Sequence, residues 1–378
     1  MRILLLGEYS RLHNSLKEGL KALGHEVILV GNGDGFKNYP VDYSIKAKWC
    51  TSKLLAVPRQ IIQRVFKLDI ASWEQGIRFY LWLPKLRGFD VVQLINESPI
   101  QTNKRLELYL LKKVVKQNGK LFLLSSGVDY LNVQFLLEKK PQKSLLQPYF
   151  ENPDLKKEYQ YVLDYLSEGN LKIHDFIYQN CVGIIASDMD YVLPLKENPK
   201  FLGLIPNPVL CADLPFIELP ENNRIVIFMG INQWNYHQKG IGYFEKALAT
   251  IEEKYNNRVE VIRAKNIPYQ DYITLYNKAH ILLDQVYAYD QGYNALEAMA
   301  KGKVVFTGAE KEFTEYYNLT EPVAINAKPN VDYLVTQLSF LIDNPQEITA
   351  IGKRARTFIE QEHDPIKVAQ LYLTRWGF

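Results

Sequence analysis

The stretch from Asp284 to Gly302 carries, in order, the residue types that hold a phosphorylated nucleotide. Gly292 stands where a helix should begin. The backbone N–H groups of Gly292, Tyr293 and Asn294 would then lack helical partners and, with the positive end of the helix dipole, would face a diphosphate. Glycine lets the phosphate approach closely. Glu297 follows within the first turn or so, and an ionised carboxylate there can accept both hydroxyls of a ribose. The plainer reading is a glutamate complementing a helix N-terminus, with Ala298, Met299 and Ala300 packing a core.

A strand must deliver that turn, and Ile281-Leu282-Leu283 has the form of one from a parallel sheet covered on both faces. The form recurs. Ile3 to Leu6 is followed by a polar turn, by Leu16, Leu20 and Leu23 at helical spacing, by Gly24, and by a second buried run from Val27 to Val30. Val91 to Ile95, Leu121 to Leu124 and Gly183 to Ala186 continue the alternation to Leu204-Ile205-Pro206-Asn207-Pro208, where two prolines break any regular element. It restarts at Arg224 to Gly230 and runs through Val259 to Ile262, Ile281 to Asp284, Val304 to Phe306 and Val323 to Ile325. The fold class is therefore read as α/β, with two doubly wound Rossmann-like domains, residues 1–208 and 209–361. Open sheets of this kind bind ligands beyond the carboxyl ends of their strands, which directs attention to the loops after them.

Composition narrows the function. The 378 residues are 47% hydrophobic and 23% charged, which suits two ordinary cores and shows no sign of disorder. A net charge of +3 gives no support to nucleic-acid binding over the whole surface. Cys50, Cys181 and Cys211 are odd in number, far apart and without metal-ligand spacing, as expected in a reducing compartment, so the expected location is the cytoplasm. Met1 to Gly7 is too short for a signal peptide, and no run of about 18 apolar residues is present to span a membrane.

Gly292, Leu296-Glu297-Ala298-Met299-Ala300 and Gly302 resemble the retaining, B-type glycosyltransferases of group 1 (family 4-like), whose motif holds two glutamates eight positions apart. The resemblance implies two domains facing each other across a cleft. It also implies transfer of a sugar from a nucleoside diphosphate to an acceptor hydroxyl, with retention, and without metal or cofactor. Glu297 matches the glutamate that holds the ribose, so Glu297, Gly292, Tyr293 and Asn294 are the expected nucleotide contacts, together with Gly230 and Asn232. The loop from Gly230 to Gly240 looks like the family's loop ending in lysine and glycine. Lys239 is then the cation that neutralises the departing diphosphate. The place of the first glutamate is held by Tyr289, and Asp290 is the nearest carboxylate; the arginine common five positions before the lysine is replaced by Trp234. Ile205-Pro206-Asn207 is similar to the family's hinge, and base contacts are expected from backbone near Ala264 to Tyr269.

In such a cleft the acceptor faces the first-domain loops. His13 or the carboxylates Glu97 and Asp129 would orient its hydroxyl, with Glu8 and Arg11 nearby; the plainer reading of His13 is a polar residue at a helix start. The resemblance also implies that the closing helix, 362–378, packs back on the first domain. Asp188-Met189-Asp190 imitates the metal-binding pair of the A-type enzymes, but their single-domain fold suits this chain poorly. The expected partners are a sugar nucleotide and a glycan or lipid-linked acceptor of cell-surface glycan synthesis, and no nucleic acid. The basic, aromatic stretch 46–87 can sit on an anionic membrane surface, or it is an insertion helix pair with a solvated basic face. Two other functions fit the same sequence: a sugar-nucleotide epimerase of the same fold, and a degenerate transferase that only binds glycans or a partner.

Overall fold

The computed structural model describes all residues except 36, 53–58, 60, 62–63, 65–68, 219–223 and 266, together with the side chain of Tyr269. Twelve strands among the described residues form two wholly parallel sheets. In the first are β1 (Arg2–Leu6), β2 (Glu26–Gly31), β3 (Tyr43–Ser44), β4 (Val91–Leu94), β5 (Lys120–Ser125), β6 (Gly183–Ala186) and β7 (Phe201–Leu204). Their spatial order is β3-β2-β1-β4-β5-β6-β7. The second holds β8 (Ile225–Ile231), β9 (Val259–Lys265), β10 (Ile281–Leu283), β11 (Val304–Thr307) and β12 (Ile325–Asn326), ordered β12-β11-β10-β8-β9. Both are doubly wound, so the α/β class read from the apolar runs is the observed one.

Each order reverses once, between β1 and β4 in the first sheet and between β8 and β10 in the second. A doubly wound sheet opens a crevice at that reversal, where the flanking helices leave on opposite faces. The loops delivered there are Gly7 to Arg11 and Ile95 to Ser98 from one domain, and Asn232 to Gly240 and Asp284 to Gly292 from the other. Registers such as Ile281 with Ile227 and Ile3 with Val91 bring paired loops out at the same level.

The chain crosses between the sheets twice. Residues 205–214 carry it forward, with Val209 N donating to His363 O at 2.8 Å. The helix Pro365–Trp376 carries it back onto the helix Leu12–Ala22. These two helices touch so closely that a Cβ on Gly19 would lie 1.9 Å from Pro365 O. Val368, Ala369, Tyr372 and Trp376 are buried with Ile3, Leu5 and Phe122 in one core, and Trp376 Nε1 donates to Gln93 Oε1 at 3.1 Å. Apolar burial of the three larger side chains, each worth roughly 1.5–3 kcal/mol, ties the end of the chain to the first sheet.

Two features lie beside the first sheet. Val133, Leu136, Leu146, Tyr159 and Val162 form a small helical core of their own. Of the stretch 46–87, the first part lies largely outside the described residues. Its second part is the helix Ile70–Trp82, whose buried Glu74 accepts from the backbone of Lys48, Trp49 and Cys50 and from Arg78 Nε. These donors outweigh the burial that opposes its charge and hold Glu74 down to about 2.

Candidate active site

A cavity of about 590 Å³ opens at the reversal of the second sheet and reaches the first domain. Glu297, Tyr293 and Asn294 line it from the helix Tyr293–Ala300, Gly230, Asn232 and Lys239 from the loop after β8, and Ala264, Ile267 and Pro268 from the end of β9. Of the six expected nucleotide contacts, Gly292 alone lines the adjoining cavity instead. Gly292 is the N-cap, and a Cβ there would meet only Gln285 Nε2, at 4.0 Å. Its lack of a side chain therefore leaves open space in front of the helix start. Asn232 Oδ1 accepts from Trp234 N at 3.1 Å, which turns the chain back toward the cavity.

Glu297 sits in the second turn, not the first. Its carboxylate has no hydrogen bond or ion pair among the described residues, and burial raises its pKa, against the pull of the charges on Arg11, Lys301 and Lys37. Lys239 Nζ is 2.7 Å from Asp284 Oδ1, and Thr307 Oγ1 donates to the other oxygen of that carboxylate at 3.3 Å. Lys239 and Asn235 line both cavities, so the ammonium stands at the boundary between them.

The second cavity, about 260 Å³, is enclosed by both domains. Here the two loops exchange backbone bonds. Tyr289 N donates to both oxygens of Asp190 at 3.3 and 3.1 Å, and Met189 N donates to Asp290 Oδ2 at 3.3 Å. Burial pushes Asp290 up to about 7 and Asp190 up to about 6, and burial together with the charges of Asp190 and Asp290 raises Asp188 well above the ordinary carboxyl value. Asp188 also caps the helix Met189–Leu195 through Asp190 N. These carboxyls are thus engaged with the backbone. Two amide oxygens on this wall, Gln291 Oε1 and Asn132 Oδ1, are buried without a partner.

The first-domain candidates lie elsewhere. His13 is fully buried, its Nδ1 2.8 Å from Gly7 O and its Nε2 unpartnered; burial lowers it to about 4, so the ring is neutral and lines neither cavity. The cap of its helix, Leu12–Ala22, is Arg11, which has φ 74° and pairs with Asp213 at 2.7 Å. Glu8 accepts from Asn14 N and Nδ2. Asp129 is the N-cap of the helix Tyr130–Lys139, bonded to Asn132 N and Ser125 Oγ, and burial together with the charge of Glu97 pushes it up to about 7. Glu97 meets His174 Nδ1 at 2.6 Å. None of Glu8, Arg11, Glu97 and Asp129 lines the two cavities, but Asn132, held by Asp129, lines the second.

Lys37 and Tyr39, which no motif marks, line the first cavity from the loop after β2. That loop also ends a strand, so the carboxyl-end rule applied to it. Tyr272, Tyr276 and Lys301 gave no signal, since an aromatic stripe on a helix reads as core.

Residues 229–374 match the family model described as glycosyl transferase-like. Among solved structures, sucrose-phosphate synthase (tll1590) from Thermosynechococcus elongatus aligns over 99% of this chain and 98% of its own, with TM-score 0.60 at 15% identity. Anabaena Alr3699/HepE in complex with UDP and glucose aligns over 99% and 98%, with TM-score 0.59 at 13% identity. WaaG, a glycosyltransferase involved in lipopolysaccharide biosynthesis, aligns over 98% and 99%, with TM-score 0.52 at 16% identity. No curated protein matches the chain. The chain thus shares the two-sheet GT-B fold of these proteins, and its second domain carries the match to the glycosyl transferase-like family.

Proposed function

We propose that this protein is a glycosyltransferase that moves a sugar from a uridine diphosphate sugar to the hydroxyl of a glycan or lipid-linked acceptor, with retention of anomeric configuration and without a bound metal. The placement of Glu297 carries the reading. A carboxylate without a partner, on the wall of the same cavity as a helix start and a lysine, is the pairing a ribose and a diphosphate require. UDP is the first nucleotide to test because HepE is described with it.

In this reading the uracil lies against Ala264, Ile267 and Pro268, the ribose on Glu297 and the diphosphate at the start of the helix Tyr293–Ala300. Lys239 then meets the charge that develops on the leaving diphosphate, and Asp284 holds it at that boundary. The sugar points into the smaller cavity, where Asp290 and the free oxygens of Gln291 and Asn132 receive its hydroxyls. The acceptor enters from the first-domain side, so 1–208 is the acceptor domain and 209–361 the donor domain. Holding both substrates as the cleft closes supplies much of the rate.

Thermal shift and calorimetry with UDP and UDP-glucose on wild type and Glu297→Ala test the reading. The expected result is a saturable rise in melting temperature, with affinity about 10- to 100-fold weaker in the variant. Equal binding by both proteins would overturn it. Product anomers read by NMR decide between retention and inversion.

A cytoplasmic location with peripheral membrane contact through 46–87 belongs to the same reading. Trp49, Ile77, Tyr80 and Leu81 are exposed there, beside Arg78. No helix among the described residues is long and apolar enough to cross a membrane. Co-sedimentation with anionic vesicles, compared with Leu81→Glu, tests the contact.

A further inference from the structure

Outside the reaction cavity, on the other side of the loop after β8, lies a larger opening of about 900 Å³. Both domains wall it: the helix Lys156–Leu163 on one side, and Gln233 to His237 on the other. Trp234 is 79% exposed in it, and Tyr161, 38% exposed, meets the indole edge-on at 6.5 Å between centroids. Asn232, a residue of the nucleotide cavity, fixes the backbone of this tryptophan, so the ring is held out by the same turn that shapes the donor site.

The two spaces are opposite sides of one short helix, Tyr236–Lys239. Tyr236 and His237 face the outer groove, and Gln238 and Lys239 face the sugar cavity. Tyr161 Oη donates to Gln238 Oε1 at 2.7 Å, joining the groove wall to the cavity wall. The groove carries balanced charge: His237 pairs with Glu158 at 3.3 Å, Tyr236 donates to Glu245, and Lys157 and Lys265 stand against Asp164. Neither sign dominates, so the field does not favour a polyanion. Exposed aromatic faces among planar amides and carboxylates suit a pyranose, whose C–H face stacks on a ring while its hydroxyls bond the polar groups.

We propose that this groove binds the extended, neutral oligosaccharide part of the acceptor, with Trp234 as its stacking platform and the terminal hydroxyl led past the helix Tyr236–Lys239 to the sugar cavity. The proposal rests on the transferase reading and specifies its acceptor. The chain has five tryptophans, so 5-fluorotryptophan labelling gives a short fluorine spectrum in which Trp234→Phe assigns the Trp234 line. Maltotriose, cellotriose and chitotriose are titrated separately, and UDP in parallel. At least one trisaccharide is expected to move the Trp234 line saturably. By calorimetry its affinity should fall tenfold or more in Trp234→Ala, while UDP affinity stays within about twofold. The groove proposal fails if no trisaccharide moves the line, or if Trp234→Ala binds trisaccharide as well as wild type. The UDP arm reports separately on the transferase reading, since failure of UDP to bind wild type sinks that reading whatever the trisaccharides do.

Discussion

Tyr293 and Ser15 are 278 positions apart in the chain, yet their hydroxyls meet at 2.8 Å. Tyr293 donates its own proton to Pro208 O, also at 2.8 Å, which leaves Ser15 to donate to Tyr293. One side chain at the proposed diphosphate site thus touches the first domain and the connecting segment together. Replacing it with phenylalanine removes two buried bonds of about 1 kcal/mol each. We expect Tyr293→Phe to lower the melting temperature by roughly 2 to 4 °C, with Ser15→Ala non-additive in the double variant. Fully additive losses in differential scanning fluorimetry would show that the contact couples nothing.

Lys239 is the group asked to act only as charge develops. Lys239→Met is expected to lower kcat by about 10²- to 10³-fold, with a much smaller change in UDP affinity. If UDP affinity falls as far as kcat, the lysine binds substrate and transition state alike. Its assignment to leaving-group stabilisation would then be wrong.

The fold was legible because parallel strands buried on both faces announce themselves as apolar runs such as Leu282 and Val305, whatever their partners. The donor loops were legible for a related reason: Gly292 and Glu297 sit a few residues apart on one element, so their relation is local. What the sequence did not display was apposition. Asp190 and Tyr289 meet across 99 positions, and nothing near either residue announces the other. His13 follows a strand as a cleft residue should, but the left-handed turn at Ser10 and Arg11 swings it inward under Gly7. The two-residue strand β3 and the strand β7, which ends where the prolines begin, were too short or too poorly patterned to stand out.

The Asp190 to Tyr289 bonds hold the loop that stands where the resemblance places the first glutamate. Asp190→Ala is expected to leave the Kd for UDP within about threefold while weakening UDP-glucose about tenfold, the loss of a charged acceptor for a backbone donor. Calorimetry with the two ligands separates these outcomes. Parallel losses for both would mean that the loop serves the nucleotide and not the sugar.

Asp188 and Asp190 also bear on metal dependence. Their oxygens accept from backbone N–H groups of their own turn and of Tyr289, which are the bonds of a helix cap and a clasp between domains. Turnover is therefore expected to survive exhaustive treatment with EDTA. A rate lost to EDTA and restored by manganese would transfer these aspartates to a metal site.

Glu8 supplies a test by pH. Its carboxyl is buried at the end of β1, Oε1 has no partner, and burial raises it from 4.5 to about 8 despite the two bonds from Asn14. The folded protein therefore holds a proton that the unfolded chain gives up near 4.5. Stability from this group is fully present below about 4.5 and is lost as pH rises through about 8. Glutamine has no proton to lose and keeps an acceptor for Asn14. Relative to wild type, Glu8→Gln should become more stable between pH 5 and pH 9, by a few kcal/mol at most. Melting curves for the two proteins that stay parallel across that range would mean that Glu8 ionises freely, and that the space around Oε1 is open to water.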